Sequence, residues 1–211
     1  MGPILVHVCC AGCFAKTLAG LRAAFGPSQE LRGLFANPNI HPLLEFRRRM
    51  KAVQVYTERD PVPVAYDAAY GLVPFCRAVH GQEAPPARCR LCYRMRLGRA
   101  AEHARATGSA AFTSTLVTSA HQDHALIRAE GERAAERAGV PFLYRDLREA
   151  EAPEGVLKGL YRQGYCGCVF SEAERYGPTA THLYRGSAPG PSAASRGNGD
   201  SDGKESAPGG K

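Results

Sequence analysis

The sequence predicts an α/β fold, a Rossmann-like, mainly parallel sheet with helices on both faces, followed by a disordered C-terminal tail. Two observations predict the sheet and one the tail. Short apolar runs alternate with helical patterns of more than ten residues, the signature of repeated βαβ units. Asn37-Pro38-Asn39 punctuates that alternation as a turn would. From Ser187 onward no large apolar residue occurs and Gly, Ser, Pro and Ala dominate, so this stretch buries too little surface to fold. Residues 1–186 are therefore read as one domain and 187–211 as a tail.

Ile4 to Val8 is an apolar run that suits a buried strand delivering Cys9 and Cys10 at its carboxyl end. Phe14 to Phe25 carries Leu18, Leu21 and Phe25 at helical spacing. Glu30 to Ala36 reads as the second strand, Pro42 to Glu58 as a basic amphipathic helix, and Val62 to Tyr66 as a third strand. After a less patterned segment, Cys89 to Ala106 is a helix, Ala111 to Ser114 a strand, and Ser119 to Ala138 a helix interrupted only by Gly131. Val140 to Tyr144 is expected as the last strand and Glu154 to Tyr161 as a final short helix. Parallel sheets of this kind bind ligands beyond the carboxyl ends of their strands, which puts Cys9-Cys10 and Thr113-Ser114-Thr115 on one crevice.

The 211 residues suffice for a core without disulfide staples. No export signal precedes Val8, and His, Arg or Gly breaks every apolar run before the 18 or so residues that a membrane span needs. A cytoplasmic protein with no membrane partner is the expectation, and there clustered cysteines serve more often as metal ligands or catalytic groups than as cross-links. The formal charge of +7 lies on the folded part, because the charges of the tail cancel. A basic fold points to an anionic partner such as RNA; solvated helix faces would give the same balance.

Chemistry is concentrated in the eight cysteines. Cys10-Ala-Gly-Cys13 and Cys89-Arg-Leu-Cys92 have the spacing that lets two sulfurs converge on one centre, and four thiolates satisfy either a structural zinc or a 4Fe-4S cluster. Cys9, directly before the first pair, and Cys166-Gly-Cys168 bring the set to seven, more than a closed zinc site uses. The two pairs are also far apart in sequence, unlike those of a zinc ribbon, roughly 15 to 20 residues apart. Redox metal chemistry is thus favoured over structural zinc. Cys76, in the apolar run after Leu72, reads as a small buried residue outside the site.

The blocks around these cysteines resemble one family. His7-Val-Cys-Cys-Ala-Gly-Cys13, Phe35-Ala-Asn-Pro-Asn-Ile-His-Pro42, Arg88-Cys-Arg-Leu-Cys-Tyr93, Phe112-Thr-Ser-Thr-Leu116 and Tyr161-Arg-Gln-Gly-Tyr-Cys-Gly-Cys-Val-Phe-Ser171 are similar to the epoxyqueuosine reductases of the QueH type, in the same order, between residues 4 and 176. The resemblance implies a metal-dependent reductase domain that converts epoxyqueuosine in tRNA to queuosine, the last step of tRNA queuosine biosynthesis. It implies a 4Fe-4S cluster beside a second iron ion. Some members carry Asp at the place of Cys13, and the segment from Asp146 to Tyr161 is a few residues shorter here than the family pattern.

Removing an epoxide oxygen takes two electrons, a proton donor and a Lewis acid. No glycine fingerprint for NAD or flavin is present, which leaves metal as the electron source, fed by an external electron donor. On this reading Cys10, Cys13, Cys89 and Cys92 hold the cluster, while Cys166 and Cys168, with Cys9, hold the second iron. Tyr165, Asp146 and His41 are the candidate proton donors. Each has a plainer role: packing over the cluster for Tyr165, capping a turn for Asp146, bonding the backbone for His41. Arg47 to Arg49, with Arg88, Arg90, Arg94, Arg96 and Arg99, form the region expected to meet tRNA phosphates. The competing readings are a zinc-stabilised RNA-binding protein and an ATP-dependent tRNA-modifying enzyme, the latter weakened because Cys9 to Cys13 stands where a pyrophosphate loop belongs.

Overall fold

The computed structural model describes residues 2–178; the predicted domain end at 186 and the tail at 187–211 lie outside these residues. Four strands, β1 (Ile4–His7), β2 (Leu31–Phe35), β3 (Val64–Tyr66) and β4 (Ala111–Ser114), form a wholly parallel sheet in the order β3-β2-β1-β4. Around it run α1 (Ala11–Phe25), α2 (Leu43–Arg59), α3 (Leu72–Val79), α4 (Ala87–Ala106), α5 (His124–Ala138) and α6 (Val169–Tyr176).

Side-chain alternation along β1 assigns the helices to the two faces. Ile4, Val6 and Val8 pack with Phe14, Leu18 and Leu21 of α1 and Phe46, Val53 and Tyr56 of α2. Leu5 faces the other way, onto Leu97, Ala100 and Ala104 of α4 and Ile127 of α5. With β1 buried on both sides, its near-continuous apolar run follows. In this strand order the chain departs in opposite directions from β1 and β4, which pair in register with His7 opposite Ser114. That reversal opens a crevice beyond their carboxyl ends.

Four expectations change. Val140 to Tyr144 makes only a single parallel bridge, Phe142 to Phe112, rather than a strand; Pro141 offers no N–H to extend the ladder. Instead of the helix expected from Glu154 to Tyr161, residues 154–159 form consecutive turns, because Gly155 and Gly159 adopt φ of 75° and 74° and break an α-helical run. The helix expected from Ser119 begins at His124, where the Asp123 carboxylate caps the Leu126 N–H at 2.9 Å. The two short helices α3 and α6 are additional, each eight residues long and too brief for periodicity to announce.

Candidate metal centre

Cys9 and Cys10 follow β1 directly, and Thr115 follows β4. The Cys9 N–H donates to the Thr115 hydroxyl oxygen at 3.1 Å and that hydroxyl donates to Cys9 Sγ, also at 3.1 Å, so the crevice expected from the sequence does bring these segments together. Cys10 is the N-cap of α1, its Sγ accepting the Cys13 N–H at 3.4 Å. A helix N-terminus favours negative charge on such a sulfur. The spacing of Cys10 and Cys13 thereby becomes geometry: one turn returns Cys13 toward Cys10, and Cys9 joins them, with the Sγ atoms of all three within 4.8 Å of one another. This trio is suited to holding a metal ion.

A second group forms around α4. Cys89 and Cys92 lie three residues apart on its first two turns and share a face. Opposite them the loop before α6 supplies Cys166 and Cys168. Cys92 and Cys168 are buried with Phe75 and Val79 of α3, and Cys76, Cys166, Met95 and Phe170 pack against that cluster. Cys76 is thus half-buried in the apolar shell of this group and does not line the cavity. Cys89, Cys92 and Cys166 lie within electrostatic reach of one another. Both groups line one cavity of about 840 Å³, through Cys9 and Cys13 on one side and Cys89, Cys92, Cys166 and Cys168 on the other. The grouping therefore joins Cys10 and Cys13 to Cys9 rather than to Cys89 and Cys92, and joins Cys166 and Cys168 to Cys89 and Cys92.

Each group contains one acidic thiol. Hydrogen bonds from Cys10 and Cys13, then the Arg96 charge and the Thr115 hydroxyl, hold Cys9 well below the usual thiol range despite its burial. Cys10 is pushed up by its thiol neighbours and by burial. The contact with Cys10 favours the Cys13 thiolate, but Cys9 and burial outweigh it and raise Cys13 to about 12. In the second group, hydrogen bonds from Cys168 and Ser171 lower Cys166 to about 5, while burial raises Cys92 to about 11.

The loop carrying Cys166 and Cys168 is held by α2. Arg49 donates to the carbonyl oxygens of Cys166 at 3.2 Å and Tyr165 at 3.1 Å, and its guanidinium lies 5.3 Å from the centre of the Tyr165 ring. Behind it, Glu45 accepts from Arg49 at 2.6 Å and from the Tyr161 hydroxyl. Gly167 has φ of 103°, and a Cβ there would lie 2.9 Å from Ile40 Cγ1 and 3.1 Å from Arg49 Nη1, so only glycine lets the loop approach so closely. From the same loop Gln163 donates to Cys10 Sγ at 2.7 Å, tying the two groups together.

Of the three candidate proton donors, only Tyr165 lines the cavity, where its hydroxyl donates to the His41 carbonyl oxygen. His41 meets the Tyr70 hydroxyl at 2.8 Å and bonds the Gly167 carbonyl through its backbone N–H. Asp146 is exposed, lowered to about 2 by hydrogen bonds from Arg148, and does not line the cavity. Tyr93, which the sequence did not single out, lines it and donates to Gln122 Oε1 at 2.9 Å. Burial raises both Tyr93 and Tyr165 above the usual phenol range.

The arginine region divides. Arg49, Arg88 and Arg96 are buried, and so are unavailable to phosphate. Arg94 is engaged by Glu130 and Arg99 by Asp67. Arg47, Arg48 and Arg90 are exposed and carry no ion pair among the described residues. No helix among the described residues is long and apolar enough to cross a membrane.

Fold and site define an α/β protein of doubly wound type with a thiol-lined crevice at the switch point of its sheet. Its residues 4–174 match the family model described as epoxyqueuosine reductase QueH. A protein of that name from Dehalococcoides mccartyi is 35% identical over 182 residues, covering 84% of this chain and 97% of the relative. One from Thermotoga maritima is 34% identical over 185 residues, covering 83% and 93%, and one from Histophilus somni is 32% identical over 177 residues, covering 80% and 71%. The chain belongs to the QueH family of epoxyqueuosine reductases, oxidoreductases of queuosine biosynthesis.

Proposed function

We propose that the chain reduces the epoxide of epoxyqueuosine in tRNA to the cyclopentene of queuosine, with Cys89, Cys92, Cys166 and Cys168 holding a 4Fe-4S cluster and Cys9, Cys10 and Cys13 holding a second iron. The observation that carries this is the sharing of one cavity by two thiol groups. Four thiolates are the ligand set of a 4Fe-4S cluster, and three protein ligands leave a metal ion a position for substrate. A structural zinc would want four thiols closed around it, whereas these line an open cavity.

The conversion consumes two electrons and two protons and releases the oxygen as water. When bound, such a centre supplies the electrons and a Lewis-acidic position for that oxygen. The chain's own residues do the rest. Tyr165 and Tyr93, both protonated at neutral pH, line the cavity and serve as proton donors once their hydroxyls turn from the His41 carbonyl and Gln122 Oε1 to substrate. Gln163 and Thr115 orient Cys10 and Cys9 through the hydrogen bonds described above. A cavity of about 840 Å³ admits a modified base extruded from its loop, the usual manner in which proteins read RNA bases. Of the arginine region, Arg47, Arg48 and Arg90 are exposed and without an ion pair among the described residues, and they meet tRNA phosphates. An external reductant supplies the electrons.

The test is an anaerobic reaction of iron-loaded protein and a strong chemical reductant with tRNA carrying epoxyqueuosine, its nucleosides then resolved by mass. Loss of one oxygen from the modified nucleoside is expected. Unchanged epoxyqueuosine after full reduction of the protein would refute the assignment.

A further inference from the structure

Arg96 is among the largest fully buried side chains of the protein, 1% exposed, and none of the ion pairs among the described residues includes it. Its Nη2 donates to Asn37 Oδ1 at 3.0 Å, its Nε approaches His7 Nε2 at 3.4 Å, and its Nη1 points to Cys92 Sγ at 3.9 Å. The Asn37 amide accepts a hydrogen bond but carries no negative charge, and an imidazole carries none in either protonation state. A buried guanidinium without an anion is strongly destabilising.

The anions within its reach are sulfurs. Arg96 lines the shared cavity, and its charge acts on Cys92 and Cys166 of one group and on Cys9 of the other. Arg88 makes the contrast. It too is buried beside Cys89 and Cys168, but Glu174 already neutralises it through two bonds of 2.8 Å.

We propose that Arg96 is the fixed counter-ion shared by the two thiol groups, a positioning residue that neutralises their thiolate charge from between them and raises the electron affinity of the centre they hold. The inference rests on the reading of these thiols as iron ligands. A permanent positive charge at this distance in a buried site favours the reduced, more negative state of a bound centre over the oxidised one. One arginine acting on both groups also means that charge added to one is felt at the other. Asn37 keeps the guanidinium in place, and through its amide, which donates to the Val8 carbonyl oxygen at 2.8 Å, fixes it relative to the end of β1.

The test is an anaerobic redox titration of the iron-loaded protein followed by electron paramagnetic resonance, with iron and sulfide counted in every sample. Arg96→Gln removes the charge. Asn37→Asp leaves the arginine but gives it a carboxylate partner, and decides the matter if Arg96→Gln does not fold. Each is expected to disfavour one-electron reduction at least tenfold, a shift of about 59 mV to lower potential, at wild-type iron content. Arg88→Gln/Glu174→Gln, which removes a compensated pair without changing the net charge, is expected to shift it far less. An unchanged potential in the folded variants, or an equal shift in the Arg88→Gln/Glu174→Gln protein, would overturn the role given to Arg96. Wild-type protein that takes up no iron would instead overturn the ligand reading beneath it.

Discussion

Replacing Arg49 by Met tests how the Cys166–Cys168 loop is held. The side chains of Arg49 and Glu45 are 1% and 6% exposed and meet at 2.6 Å, so the substitution leaves a carboxylate buried with only the Tyr161 hydroxyl beside it. Breaking a buried pair from one side costs about 3–5 kcal/mol. The two donations to the Tyr165 and Cys166 carbonyls disappear as well, which places much of the loss at the loop. Against a total stability of roughly 5–15 kcal/mol this is a large fraction. The assay is denaturant unfolding of anaerobic protein, with bound iron measured in parallel. Arg49→Met should unfold at markedly lower denaturant and retain less iron, while the Glu45→Gln/Arg49→Met double variant should recover about 1–3 kcal/mol of the loss. Stability within about 1 kcal/mol of wild type, or a double variant no better than the single, would refute the reasoning.

Three further outcomes follow from the same structure. Arg47→Gln/Arg48→Gln should weaken tRNA binding and reduce the slope of log affinity against log salt by about 1.5, as measured by filter binding; an unchanged slope would remove these residues from the interface. Gly131→Ala should destabilise the fold by about 1–2 kcal/mol although alanine is the better helix former, because the added Cβ would stand 2.2 Å from the Phe142 ring that packs on Phe112. A more stable Gly131→Ala protein would contradict this. Arg22 holds the Asp60 carboxyl below its usual range through bonds of 2.8 and 2.9 Å, so the carboxylate's contribution is complete above the unfolded value near 4 and is lost as pH falls through the lower folded value. The stability gap between wild type and Arg22→Met should accordingly be constant above about pH 5 and close below pH 4, as followed by unfolding at each pH.

The sheet was legible because its strands are short apolar runs bounded by turns, and Ala111–Ser114 falls where the sequence puts it. Val140 to Tyr144 misled because an apolar run reports burial, and here burial comes from Phe142 packing against Phe112 without a continuous ladder. Glu154 to Tyr161 misled because two glycines take left-handed backbone inside a pattern that otherwise suits a helix.

At the site, spacing could pair Cys10 with Cys13 and Cys89 with Cys92, but which pair meets which other thiols could not be read from it. Which pair meets which depends on the loop of residues 161–168 crossing to α4, and that crossing is fixed by Arg49. The Glu45 and Arg49 spacing of four residues was the available signal, and it pointed to an internal pair rather than to phosphate. Nothing comparable marked Arg96, whose partners come from β1 and the turn after β2, remote in sequence.

The measurement closest to the central claim counts iron and acid-labile sulfide in anaerobically reconstituted wild-type, Cys10→Ser and Cys92→Ser proteins. Wild type should be brown, absorb near 400 nm, and bind about five iron and four sulfide per chain. Cys10→Ser should lose about one iron and keep its sulfide, whereas Cys92→Ser should lose most of the sulfide. Equal loss of sulfide in both variants would contradict the division of the seven cysteines into two centres on one cavity.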